Sequence, residues 1–346
     1  MGRDITLNDI DEVNVTIGPG SFTGIRIGMC VAKVLASMKN IPLKAISSLN
    51  AYASLGKKIV ILDADLAKPD GIYPLFVEFS NRCFQVGIAE ANMASICAGL
   101  SAYGYLPVMV TFAPFATRRV FDQIAVSIAY AKQRVIIVGT DPGITAELNG
   151  GTHMSFEDVT IMRSIPDMVI YDAVDDVQLG QAIKQLINLD KNVYIRMPRK
   201  VRPTVFNENY KYEYGKADLL KAGTDITIAA TGTMVYEALE AAKLLEEDGI
   251  NAEVISVNTI KPIDKDMILE SVKKTNCVVT CENNNINGGL YSVISEILCS
   301  NYPAICGAIG IYDEFGQVGK YSDLLEAYHL TPKDIVKKVK EVIKKK

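Results

Sequence analysis

Short apolar runs rich in Val and Ile recur along this chain, with helical patterns in nearly every interval between them. The candidate strands are Val13–Ile17, Lys58–Leu62, Pro107–Phe112, Arg134–Gly139, Asp167–Tyr171, Val193–Arg196, Asp225–Ala230, Ala252–Val257, Cys277–Cys281 and Gly307–Ile311. Strands separated by helices are positioned to pair in parallel through crossovers, so the expected class is α/β with mostly parallel sheets. Local signals agree. Asp175 and Asp176 suit the start of a helix running to Leu189, and Thr233 suits the cap of one through Leu245 that Gly249 ends.

Two breaks divide the pattern. A strand–loop–helix–strand unit stops near Ala51–Lys57, and Lys200–Lys216 is rich in Pro, Asn and Tyr without periodicity, as a linker would be. The expected organisation is a short α/β fragment over residues 1–56, then α/β domains over 57–205 and 211–346. A chain of 346 residues is long enough for each domain to bury a core. A formal net charge of −4 gives no sign of a nucleic-acid partner, and the Lys-rich C-terminus reads as the solvated end of a last helix. The seven cysteines are scattered without zinc-site spacing, as expected of reduced core residues in a cytoplasmic protein. No signal peptide or long uninterrupted apolar span is visible, so no membrane crossing is expected.

The chemistry concentrates in Phe84-Gln85-Val86-Gly87-Ile88-Ala89-Glu90-Ala91-Asn92-Met93, followed by Thr111-Phe112-Ala113-Pro114-Phe115. A carboxylate opens a small-residue helix, and a strand then ends in a pair of aromatics. One acid for a ring nitrogen and one aromatic wall for a ring face are what an aminopyrimidine needs. Read in isolation, Glu90 also suits a helix dipole and the two phenylalanines also suit a core. Earlier in the chain, Ile17-Gly18-Pro19-Gly20-Ser21-Phe22-Thr23-Gly24-Ile25-Arg26-Ile27-Gly28 follows a strand and opens a helix. Such a turn can cradle an anion, but by itself it is more often plain structure.

From about Lys57 the chain resembles the C-terminal half of transketolases. The strings that carry this are Leu62-Asp63-Ala64-Asp65-Leu66, Val86-Gly87-Ile88-Ala89-Glu90, Thr111-Phe112, Asn149-Gly150-Gly151-Thr152-His153, and Glu282 with Gly288-Gly289. The resemblance implies a pyrimidine-binding domain followed by the family's C-terminal domain, to which no catalysis is assigned, and thiamine diphosphate as cofactor. Glu90 matches the catalytic glutamate that hydrogen-bonds the pyrimidine ring; for that bond it should carry a proton, which burial favours. Phe112 and Phe115 match the ring-enclosing aromatics, and Asp65 and Leu66 match positions near the thiazolium. His153 matches a histidine that contacts the donor sugar, a candidate for proton transfer or hydrogen bonding. Arg199 matches a phosphate-binding arginine.

The pattern also departs from the family. Arg118 stands where another aromatic is usual, and suits either an acidic substrate group or an ion pair. Asp141 stands where a phosphate-holding histidine is usual, Asn149 replaces an aspartate that reads a sugar hydroxyl, and a phosphate-contacting serine is replaced near Pro69. An aspartate repels a phosphate, so the donor is expected to lack the phosphate, hold it differently or carry another anion. No Gly-Asp-Gly…Asn motif for the diphosphate and its Mg2+ precedes Glu90. The resemblance therefore implies a split enzyme, with an N-terminal transketolase subunit as partner in an α2β2 assembly. Rival readings are a 1-deoxyxylulose 5-phosphate synthase-like activity and a 2-oxo-acid dehydrogenase beta-like subunit. The Gly18–Gly28 string, with Ile41-Pro42-Leu43 and Ile46-Ser47-Ser48-Leu49, resembles the TsaB-type protein of tRNA threonylcarbamoyladenosine synthesis over residues 7–54. That implies an appendage, or else a non-enzymatic accessory subunit linked to tRNA modification.

Overall fold

The computed structural model describes residues 59–346 and, before them, the backbone of two short strands. These are β1 (Val13–Thr16) and β2 (Leu43–Ile46), paired in parallel and in register. The glycine string between them and the Lys58 end of the next expected strand lie outside the described residues.

The larger sheet holds β3 (Ile59–Asp63), β4 (Cys83–Gln85), β5 (Leu106–Phe112), β6 (Ile136–Thr140), β7 (Val169–Asp172) and β8 (Val193–Met197). Its order is β12-β7-β8-β6-β5-β3-β4, parallel throughout except for β12 (Thr259–Lys261), which runs antiparallel to β7. The smaller sheet has the order β14-β13-β10-β11-β9. Its strands are β9 (Asp218–Lys221), β10 (Ile226–Ala230), β11 (Ala252–Ser256), β13 (Cys277–Asn285) and β14 (Ile305–Ile311), with β9 antiparallel at the edge. The chain thus forms two mostly parallel α/β domains.

Burial explains why these strands read as unbroken apolar runs. In a parallel sheet both faces are covered by helices, so alternation disappears; every residue of β3 and β10 is buried. The helix Glu90–Ala102 shows how small residues place a site. Its residues Met93, Ala94, Cys97 and Ala98 are buried at the helical repeat, and the small ones let the helix lie close on the sheet. Asp175 caps the helix Asp176–Leu186 by accepting from Gln178 N at 2.8 Å. The expected helix to Leu189 therefore stops a turn early. Thr233 stands at the N-cap of Met234–Glu247 without a side-chain capping bond, and Gly249 follows its end at φ +76°.

Four short strands are missing from the candidates named above: β2, β4, β9 and β12. Each has only three or four residues, too few to show a period. β12 lies beyond the linker yet joins the first domain's sheet, so the domains interlock. The 200–216 segment carries no helix or strand, but it is packed rather than loose. Phe206 and Tyr212 are buried, and Tyr212 meets Tyr171 edge-on at 5.7 Å. Among the cysteines, Cys83, Cys97, Cys277 and Cys281 are buried, whereas Cys299 is exposed, against the expectation of core placement. No helix among the described residues is long and apolar enough to cross a membrane.

An ionic cluster fixes the domains to one another. Arg196, on β8, is fully buried and donates to Asp158 through Nε at 2.6 Å and to Asp172 through Nη1 at 2.7 Å. Its Nη2 donates across the domain boundary to the Asn283 carbonyl at 3.1 Å. Asp172 also accepts from Thr231 Oγ1 in the second domain at 3.2 Å. Removing the cation strands two buried carboxylates, a loss worth about 3–5 kcal/mol. Arg196→Met should therefore lower the unfolding free energy by an amount of that order, read as a lower denaturant midpoint; a midpoint within error of the wild type would show that the cluster does not hold the domains.

Candidate active site

Side chains destined for a ligand gather where parallel strands end. Asp63 ends β3 with Asp65 and Leu66 just past it, Glu90 follows β4, Phe112 ends β5, Asp141 follows β6 and Arg199 follows β8. These strands are neighbours in the sheet order, and the chain reverses direction of winding at β3, with β4 on one side and β5 on the other. Ligands of open α/β sheets bind outside such carboxyl ends at the switch point.

The β3 loop is shaped by Asp63 rather than by Asp65. Asp63 is buried, accepts from Leu66 N at 3.0 Å and from Gln85 Nε2 at 2.5 Å, and burial raises its pKa against those bonds. Gln85 Oε1 accepts from Asp65 N at 2.6 Å, which holds Asp65 exposed in a left-handed turn at φ +67°. Asp65 and half-buried Leu66 are thus presented at the mouth of the loop.

Glu90 is the first residue of its helix and only 4 % exposed. Its Oε1 accepts from Arg119 Nη1 at 2.6 Å, and the Arg119 guanidinium lies 3.8 Å from the centre of the Phe115 ring. Sequence reasoning missed Arg119; the only visible signal was the doubled arginine after Phe115. Among the described residues Glu90 Oε2 has no hydrogen-bond partner. Phe112 and Phe115 stand 6.0 Å apart, and both touch the His153 ring edge-on, at 5.8 and 5.3 Å. Arg199 lies over Phe112 at 4.5 Å. The expected carboxylate, aromatic wall and histidine therefore come together, with guanidinium groups on the aromatic faces.

Charges in this cleft come in pairs. Arg118 bonds Glu157 at 2.9 Å and the Thr152 carbonyl at 3.1 Å, so of its two expected roles the structure realises the ion pair. Asp141 is buried and turns both oxygens to Arg199, accepting from its backbone N at 2.8 Å and its Nε at 2.5 Å. Burial raises the Asp141 pKa while Arg199 pulls it down. The repulsion expected from Asp141 is thus directed into Arg199, whose Nη1 also reaches the Pro69 carbonyl at 3.0 Å. Close by, Asp70 accepts from Thr140 Oγ1 at 2.8 Å, and burial pushes its pKa to about 7. Asn149 is exposed at the end of the 143–149 turn, and among the described residues its side chain makes no hydrogen bond to this cluster.

His153 is half-buried, with Thr152 Oγ1 2.9 Å from Nδ1. Its pKa is lowered by burial first, then by the charges of Arg119, Arg118 and Arg199. The neutral ring therefore predominates near pH 7. As pH falls through 6.5 the unfolded chain takes up this proton before the folded one, so His153 makes the fold less stable on the acid side. The His153 ring should titrate below 6.5 by proton NMR, and Arg118→Gln should move the midpoint upward; a wild-type midpoint at or above 6.5 contradicts this electrostatic picture.

Comparison with known proteins supplies the family context. The family described as "Transketolase, pyrimidine binding domain" matches residues 45–203 and "Transketolase, C-terminal domain" matches 215–335. The family "tRNA N6-adenosine threonylcarbamoyltransferase" matches residues 3–65, overlapping the N-terminal segment singled out above. The 6-deoxy-6-sulfo-D-fructose transketolase subunit SqwH of Clostridium sp. (strain MSTE9) is 48 % identical over 85 % of this chain and 92 % of its own length. A putative transketolase C-terminal section from Methanocaldococcus jannaschii is 39 % identical over 84 % of this chain and 93 % of its own. Among solved structures, a split-gene transketolase described as an inactive beta4 tetramer aligns with a TM-score of 0.79 at 38 % identity, over 85 % of this chain and 95 % of that one.

Proposed function

Since the chain belongs to the transketolase family, we propose that it is the C-terminal subunit of a split transketolase, moving a two-carbon ketol unit between sugars with thiamine diphosphate. The observation that carries this reading is the slot between Glu90 and Phe115. Arg119 already places a flat, N–H-bearing cation there, bonded to the carboxylate and stacked on the ring. An aminopyrimidine is flat and N–H-bearing too, so the residues fit the cofactor's ring.

In this reading Glu90 hydrogen-bonds a pyrimidine nitrogen and sets the ring's tautomer. Phe112 and Phe115 fix its plane and exclude water. When bound, the cofactor supplies the carbon nucleophile, and the protein supplies orientation and electrostatics. Neutral His153 beside both aromatics donates to or accepts from the donor sugar's oxygens. Asp65 and Leu66 line the neighbouring loop. A diphosphate and its Mg2+ fall to a partner subunit, and the close match in length to split-gene relatives supports that division. We take the assembly to be α2β2 and cytoplasmic, with residues 1–56 outside the catalytic unit.

The donor's distal group follows from charge. Arg199 Nη2 makes no hydrogen bond among the described residues, while Asp141 offsets the guanidinium's charge. That suits a monoanion better than a phosphate dianion. The Clostridium relative is named for a sulfonated ketose, and we extend that donor class to this chain.

With the partner subunit, cofactor and Mg2+, Glu90→Ala should lose about 10²–10⁴-fold in kcat while circular dichroism stays that of the folded chain. Normal turnover in the variant removes Glu90 from the chemistry. In the same assay the wild-type pair should use a sulfonated ketose better than its phosphorylated counterpart; the reverse order contradicts the charge argument.

A further inference from the structure

The second domain carries none of the side chains assigned above, yet it rests directly on the loop that holds His153. The contact is between glycines. A Cβ on Gly151 would stand 2.3 Å from the Gly316 carbonyl oxygen, and a Cβ on Gly316 would stand 2.7 Å from Gly151 Cα and 2.8 Å from Met154 Sδ. A Cβ on Gly150 would stand 2.7 Å from Val318 Cγ2. Backbones meet here with no room for any side chain. Gly150 is in turn the hinge of the histidine turn, since its carbonyl accepts from His153 N at 3.0 Å and Met154 N at 3.1 Å.

The Gly316 segment is itself anchored through its backbone. The Phe315 ring is 95 % exposed, but its carbonyl accepts from Tyr328 Oη at 2.7 Å. Tyr328 is buried and meets Phe156 edge-on at 5.5 Å. Phe156 belongs to the first domain, three residues past His153, and its carbonyl accepts from Asn285 N at 2.8 Å. The His153 turn is therefore gripped at both ends by the second domain. On its remaining side Arg118 holds Thr152 and Glu157.

We propose that residues 315–318 are a positioning strut for His153, so that the second domain sets where the donor-contacting histidine stands. The role of the histidine rests on the function proposed above; the strut itself does not. Misplacing a positioned group by an ångström costs on the order of 10²-fold in rate, so a contact this tight has leverage on turnover without touching substrate. The charged groups around the ring are Arg118, Arg119 and Arg199, with their partners Glu157, Glu90 and Asp141. Moving the ring away from the three cations changes its titration, which makes the displacement readable.

The test uses the full chain with 13C-labelled histidine. It has only two histidines, so His329→Gln assigns the His153 signal. Gly316→Ala should raise the His153 midpoint toward 6.5, and with the partner subunit should lower donor kcat/KM by about 10- to 100-fold with cofactor affinity unchanged. Tyr328→Phe, which removes one hydroxyl and leaves the packing, should shift both in the same direction by less, and decides the matter if Gly316→Ala does not fold. A folded Gly316→Ala chain, or failing that a Tyr328→Phe chain, with wild-type His153 titration and donor kinetics overturns the strut. If the wild-type pair has no turnover, the proposed function fails, while the shift in His153 still tests the strut.

Discussion

A single buried guanidinium organises this molecule. Arg196 is fully buried near the carboxyl end of β8, where a charge is tolerable only if it is fully paired. Asp158 and Asp172 pair it, and burial, which opposes its charge, is outweighed by those two carboxylates. The geometry that results is not local. Asp158 opens the helix after the histidine turn, Asp172 ends β7, and the Asn283 carbonyl belongs to the second domain. Gly232 of the second domain closes on Asp172, where a Cβ would stand 2.5 Å from Oδ2. Anything that separates the domains therefore uncovers a charge cluster, so the two halves hold one register and the histidine turn is measured from both.

That register governs the cleft. Guanidiniums from Arg118, Arg119 and Arg199 surround His153 and the phenylalanines, and each is matched by one carboxylate. Paired charges are rigid and nearly neutral in sum. Such a site holds its donors in place for a ligand while leaving the imidazole uncharged. On the function proposed above, an Arg199 offset by Asp141 would favour modest negative charge in the donor, which ties the departure from the family pattern at Asp141 to the donor class proposed there.

Much of this was legible in the sequence, and what was not has a common physical cause. The β/α alternation, Glu90 at a helix start and Phe112 at a strand end are local patterns, and they stand where expected. Partners were not legible, because pairing joins residues far apart in the chain. Arg118 finds Glu157 thirty-nine positions away, and Arg119 finds Glu90 twenty-nine away. Asp63 was read as part of a motif, but its work in setting the β3 loop depends on Gln85 from the adjacent strand. Short strands such as β12 exist only because a neighbour's open edge accepts them. Gly151 stood only within a motif and Gly316 in none, because the backbone contact between them joins segments far apart in the chain.

The most direct measurement is calorimetric titration of thiamine diphosphate with Mg2+ into this chain, into a candidate N-terminal partner, and into the two together. A split active site predicts strong binding only for the mixture, lost when Glu90 is replaced by Ala in this chain. Equal binding by either subunit alone, or binding by the mixture that is indifferent to Glu90, would contradict a cofactor held between this cleft and a second chain.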